Sequence, residues 1–141
     1  MKIYLDTSAL NRPFDDQSQP KIFLETQAVS LILQAIRNGK LRLVNSAALE
    51  YENNRNSNPE RQATVGHYLQ MASLVQLVDE MIFQRATNLE SRGLKPLDAL
   101  HLVCAERAGC DYFITCDKRL LNRYQSEQIL AINPIHFVLE E

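Results

Sequence analysis

Four carboxylates of this chain fall at or just past the ends of short apolar runs, where polypeptides often place their chemistry. Asp6 ends Ile3-Tyr4-Leu5, and Asp117 follows Tyr112-Phe113-Ile114-Thr115. Glu50 or Glu52 lies shortly after Leu41-Arg42-Leu43-Val44, and Asp98 opens a long apolar stretch. If the runs are parallel strands, their carboxyl ends share one edge, which is where open α/β sheets hold ligands. Asp98 joins them if its own turn lies at that edge. Each acid also has a plainer role. Asp6 and Asp117 can simply cap helices, Asp98 can complement a helix dipole, and Glu52 can be a solvated helix residue. Taken together they are harder to explain that way, because four carboxylates at one edge repel unless protons or a cation neutralise them. Hard oxygen donors of this kind suit Mg2+ or Mn2+.

The elements that must position these acids can be read in chain order. Ile3–Leu5 has the length and side chains of a buried strand. Residues 11–21, NRPFDDQSQPK, are polar with two prolines and no periodicity, and are expected to form a loop. Ile22–Arg37 has a broad apolar face at helical spacing, ended by Asn38-Gly39. Leu41–Val44 is a second strand, and AALEYENN after Asn45-Ser46 is a helix. Asn58-Pro59-Glu60 starts another helix, with cap, first-turn proline and early acid in order. Leu74–Val78 is a third strand. Asp79 caps a helix closed by Gly93, and Lys95-Pro96-Leu97-Asp98 opens one that is apolar almost all round, hence buried on most sides. Tyr112–Thr115 is a fourth strand and Lys118–Tyr124 a short helix. Ile129–Ile132 and His136–Leu139 are expected as one or two edge strands. Strands alternating with helices imply an α/β chain with a mainly parallel sheet covered on both faces and right-handed crossovers.

The bulk properties restrict the class. A length of 141 residues suits one domain with an ordinary core, and 45% hydrophobic with 23% charged residues argues against disorder. A net charge of −2 argues mildly against a chain that lives by non-specific nucleic-acid binding. It says less about an enzyme whose acids hold a cation. No run reaches the length of a membrane span, no signal-peptide pattern opens the chain, and the three cysteines (Cys104, Cys110, Cys116) form no CxxC. A soluble cytoplasmic domain over residues 1–141 is therefore expected.

LDTSAL at the start, an acid on the second helix, and KPLDALHLVCAERAGCDYFITCD near the end resemble the PIN domain family. The resemblance covers nearly the whole chain. It implies a three-layer α/β/α sandwich and metal-dependent cleavage of RNA with Mg2+ or Mn2+. It also implies a VapC-type toxin restrained by a cognate antitoxin, and often a homodimer. Carried over by motif, the acidic quartet that holds the metal and carries catalysis falls on Asp6, Glu52, Asp98 and Asp117, with Glu50 the less favoured second acid. The accompanying hydroxyls fall on Thr7 or Ser8 and on Thr115. The polar loop at 11–21 is longer than in shorter members.

Other residues are weighed alongside. His101 lies three residues after Asp98 on the same helix face, and a hydrogen-bonded structural histidine is preferred to a metal ligand. His67 and His136 have no partner at ligand spacing, and the cysteines lie in apolar surroundings that favour inertness. Arg12, Arg55, Lys95, Lys118 and Arg119 can reach RNA phosphates, with Lys118 and Arg119 the chosen contact candidates. The apolar stripe of Ile22–Arg37 is core first, and a dimer or antitoxin surface second. The competing functions are a non-catalytic PIN-like RNA- or protein-binding module and phosphatase-like transfer through an Asp nucleophile. The latter needs a second Asp two residues on, where the chain has Ser8. A deoxyribonuclease is chemically open to the same acids, since hydrolysis does not need the 2′-hydroxyl.

Overall fold

Runs such as Ile3-Tyr4-Leu5 and Phe113-Ile114 are wholly withdrawn from water, as expected for central parallel strands covered on both faces. The computed structural model describes residues 1–125 and 128–140. In chain order, β1 (Lys2–Leu5) leads into α1 (Thr7–Asn11), a 3-10 turn at Arg12–Phe14 and α2 (Pro20–Arg37). Next come β2 (Arg42–Ser46), α3 (Ala47–Asn54), α4 (Pro59–Leu69), β3 (Leu74–Gln76), α5 (Glu80–Glu90) and α6 (Pro96–Arg107). β4 (Tyr112–Ile114), α7 (Lys118–Arg123), β5 (Leu130–Ile132) and α8 (Pro134–Glu140) complete the described chain. The sheet runs β3-β2-β1-β4-β5 with every pairing parallel, and helices complete an α/β/α sandwich. α2 packs on α8, and α5 on α6.

This order has a consequence for the site. From β1 the chain steps outward to β2 and then β3, and it later returns across the sheet to β4 and steps the other way to β5. The reversal lies between β1 and β4, which pair as Ile3–Tyr112, Tyr4–Phe113 and Leu5–Ile114. Crossovers that leave in opposite directions open a crevice beyond the carboxyl ends of those two strands. Asp6 and Thr115 are the next residues on each. Gly39, closing α2 at φ +76°, takes the left-handed conformation that turns the chain back to the sheet.

Three expected elements differ. Residues 11–21 are not one irregular loop: Arg12–Phe14 form a 3-10 turn, and α2 starts at Pro20, ahead of the expected Ile22. The turn is held because Arg12 bonds both Asp15 (3.0 Å) and the fully buried Glu25 (2.9 Å). The stretch His136–Leu139 lies in helix α8 and not in an edge strand. The Asn133 side chain accepts from Ile135 N (2.8 Å) and Pro134 takes the first helical position, so a cap and a proline start a helix there. β3 also ends at Gln76, short of the expected Val78. Among the described residues, no helix is long and apolar enough to cross a membrane.

Candidate functional site

Asp6 follows the last residue of β1, is 4% exposed, and begins α1. Its Oδ1 accepts from Ala9 N (3.0 Å) and from the Ser8 hydroxyl (2.6 Å), while Oδ2 accepts from the Thr115 hydroxyl (2.6 Å). The cap role and the site role therefore coincide in one carboxylate. Across the crevice, Thr115 Oγ1 also accepts from Asp117 N (3.0 Å), and Ser8 Oγ accepts from Cys116 N (3.0 Å). These hydroxyls stitch the end of β1 to the end of β4. Asp117 in turn caps α7 through Arg119 N (2.9 Å) and Leu120 N (3.2 Å). Asp98 enters from the first turn of α6.

The two candidates for the second acid point different ways from α3. Glu52 Oε1 accepts from the Thr7 hydroxyl (2.5 Å) and bonds His101 Nε2 (2.7 Å), whereas Glu50 turns back to Asn45 Nδ2 (2.7 Å). His101 is 2% exposed, and its Nδ1 bonds the Tyr4 hydroxyl (2.7 Å), which meets Ser46 Oγ at 2.6 Å. One donor order satisfies the chain: Ser46 to Tyr4, Tyr4 to Nδ1, and Nε2–H to the Glu52 carboxylate. Burial holds the Tyr4 phenol well above its ordinary value, so it stays a donor. His101 is thus a structural histidine whose far nitrogen orients a site carboxylate.

Asp6, Thr7, Ser8, Glu52, Asp98, His101 and Asp117 line one cavity of about 360 Å³, together with Asn11, Arg12, Asp15, Asn56 and Arg61. Their electrostatics are uneven. Burial pushes Asp98 up to about 6, and the charges of Asp6 and Asp117 push the same way. Burial also raises Asp6, against the pull of its three donors. Burial acts likewise on Glu52, but bonds from His101 and Thr7 outweigh it and hold its carboxyl below the ordinary value. Asp98 and Asp6 sit here at a cost, and Glu52 is relieved by its neighbours.

Among the described residues, no three Asp, Glu, His or Cys side chains stand ready-made around a single ion. The donor set still fits a hard cation that keeps its own waters. Mg2+ is commonly held by one or two carboxylates plus waters and substrate phosphates, without an all-protein cage. The repulsion on Asp98 is the charge such an ion offsets. On this chemistry one or two of Asp6, Asp98 and Asp117 would hold it, with Glu52, engaged by Thr7 and His101, at its side.

The expected RNA contacts Lys118 and Arg119 are exposed on α7 and are not in the lining of this cavity. Lys118 instead borders a separate hollow with Lys21 and His136. The cations at the acids are Arg12 and Arg61. Arg61, on α4, donates to Phe14 O (2.7 Å) and faces Asp15 at 3.7 Å. Nothing in the spacing marked Arg61, because only the tertiary fold brings α4 to the turn at Arg12. The three cysteines are buried, and burial pushes Cys104 up to about 11 and Cys110 up to about 12, which keeps them as thiols.

The PIN domain family model matches residues 3–126. Among solved structures the chain is similar to PAE2754 from Pyrobaculum aerophilum, with a TM-score of 0.56 and 17% identity, over 99% of this chain and 93% of that one. It is also similar to a chain of VapBC2 from Rickettsia felis, solved bound to a DNA fragment from its promoter. There the TM-score is 0.60 and the identity 13%, over 94% of this chain and 98% of that one. At such identities the likeness is one of fold. No curated protein matches the chain.

Proposed function

The chain belongs to the PIN domain family, and from that premise we propose that it is a metal-dependent endoribonuclease, the toxin of a toxin–antitoxin pair. The observation that carries this reading is the cavity beyond β1 and β4, where Asp6, Glu52, Asp98 and Asp117 meet and Asp98 is pushed up to about 6. The toxin assignment draws on the shared fold with a chain of VapBC2. A cytoplasmic homodimer with a cognate antitoxin completes the proposal.

Bound Mg2+ or Mn2+ supplies Lewis acidity at the phosphate and a water of lowered pKa. The chain's own residues do the rest. Asp6 is locked by Ser8, Ala9 and Thr115, so its carboxyl oxygens are held in fixed positions at the crevice floor. Glu52 is fixed by Thr7 and by the His101 relay. Asp98 or Asp117 would orient the attacking water, which approaches phosphorus in line and gives up its proton to solvent. The 3′-oxygen departs and the downstream product carries a 5′-phosphate.

The test is cleavage of a mixed RNA pool with Mg2+ or Mn2+, comparing the native chain, Asp98→Asn and an EDTA control. Cutting by the native chain alone supports the proposal. A folded native chain that neither cuts nor binds metal returns the cavity to helix capping, and the non-catalytic binding module replaces the enzyme.

A further inference from the structure

The acid cavity adjoins a second, larger hollow of about 740 Å³, and the two share Thr7, Glu52 and Asn56 in their walls. The second hollow has a different chemistry. Tyr51 on α3 and Phe83 on α5 face it, 53% and 56% exposed, over a floor that includes Leu97 and Leu100 of α6. Arg55 sets its guanidinium 5.4 Å from the centre of the Tyr51 ring and also lines the hollow. Exposed aromatic side chains standing singly need no explanation, but here two of them border one concave, largely apolar surface.

We propose that this groove is a nucleobase subsite, taking an unpaired base of the RNA strand whose scissile phosphate lies at the acids. This rests on the endoribonuclease reading of the adjoining cavity. Aromatic rings and guanidinium planes are the surfaces on which single-stranded bases stack, and stacking tolerates any base. The acids repel a bare phosphate backbone, and among the charged groups of the groove, Glu52, Glu90 and Arg55, it is Arg55, held beside Tyr51 by a bond to its hydroxyl, that can meet a flanking phosphate. Thr87, Asn56 and Glu90 add polar groups along the wall that can read a base edge. The two hollows share walls, so a strand with a phosphate in one has its neighbouring base within reach of the other. Paired RNA cannot offer such a base, so the groove selects single strands, loops or bulges.

Tyr51 and Phe83 are exposed, so their replacement spares the core. The experiment uses short single-stranded RNAs carrying 2-aminopurine, and a duplex of the same sequence, with the native chain, Tyr51→Leu, Phe83→Leu and Tyr51→Phe. Stacking quenches the 2-aminopurine. The expected result is quenching by the native chain, a rise of about tenfold in KM with kcat little changed for each Leu variant, rescue by Tyr51→Phe, and no binding of the duplex. Native cutting with KM and quenching unmoved in both Leu variants overturns the subsite while leaving the nuclease standing. Quenching that the Leu variants abolish, in a chain that cuts no RNA, supports the subsite and sinks the nuclease. A groove that binds a peptide but quenches no RNA overturns it in favour of a protein ligand.

Discussion

Replacing Asp98 by Asn should stabilise the metal-free protein at neutral pH. Asp98 is held at about 6 against an ordinary 3.8, first by burial and then by Asp6 and Asp117. That difference corresponds to about 3 kcal/mol for full ionisation. The carboxyl is only half-buried, so solvent screening reduces this to about 1–2 kcal/mol. The sign follows from linkage. Below 3.8 the acid is protonated folded and unfolded, and there is no penalty; above 6 it is ionised in both states and the folded protein carries all of it. Asn mimics the protonated acid at every pH. The variant should therefore melt about 3–8 °C higher than the native chain at pH 7.5 in EDTA. The gain should shrink to about half by pH 5. Excess Mg2+ should close the gap, because it stabilises only the chain that binds it well. Circular-dichroism melts over this pH range, with EDTA and with Mg2+, test it. A variant that is less stable in EDTA, or whose advantage ignores pH, would refute the reasoning.

Thr115→Val removes a donor to Asp6 and an acceptor for Asp117 N, and should cost about 1–3 kcal/mol in urea unfolding along with a drop in kcat. His101→Phe keeps the bulk but leaves the Tyr4 hydroxyl with Ser46 alone and Glu52 with Thr7 alone. Carbon-detected NMR should then place the Glu52 carboxyl closer to its ordinary pKa. Glu25→Ala strips Arg12 and Asn133 of a fully buried carboxylate and should cost about 3 kcal/mol or more, read by urea unfolding.

The site was legible where chemistry follows from local sequence. Asp6, Asp98 and Asp117 stand at element boundaries, and an α/β alternation alone sends Asp6 and Asp117 to one edge. Helical spacing says that Glu50 and Glu52 cannot face the same way, and the family resemblance is what favours Glu52. What escaped depended on tertiary placement. The reversal of strand order between β1 and β4 is not written in any one segment, and neither is the approach of Arg61 to Arg12. The helix at Pro134–Glu140 was misread because His136-Phe137-Val138-Leu139 is too short and too apolar for its period to distinguish strand from helix. The signal that could have decided it was Asn133-Pro134, a cap followed by a first-turn proline. Residues 11–21 were misread for a related reason, since the turn there is held by the distant, buried Glu25.

If the acids at the β1–β4 crevice hold a divalent cation, crystals of the native chain soaked in Mn2+ and measured at the manganese absorption edge should show an anomalous peak inside the cavity, bordered by Asp6, Asp98 and Asp117. The peak should be lost in Asp98→Asn. A fully soaked crystal with no peak there, or one whose peak survives Asp98→Asn unchanged, would contradict cation binding by these acids.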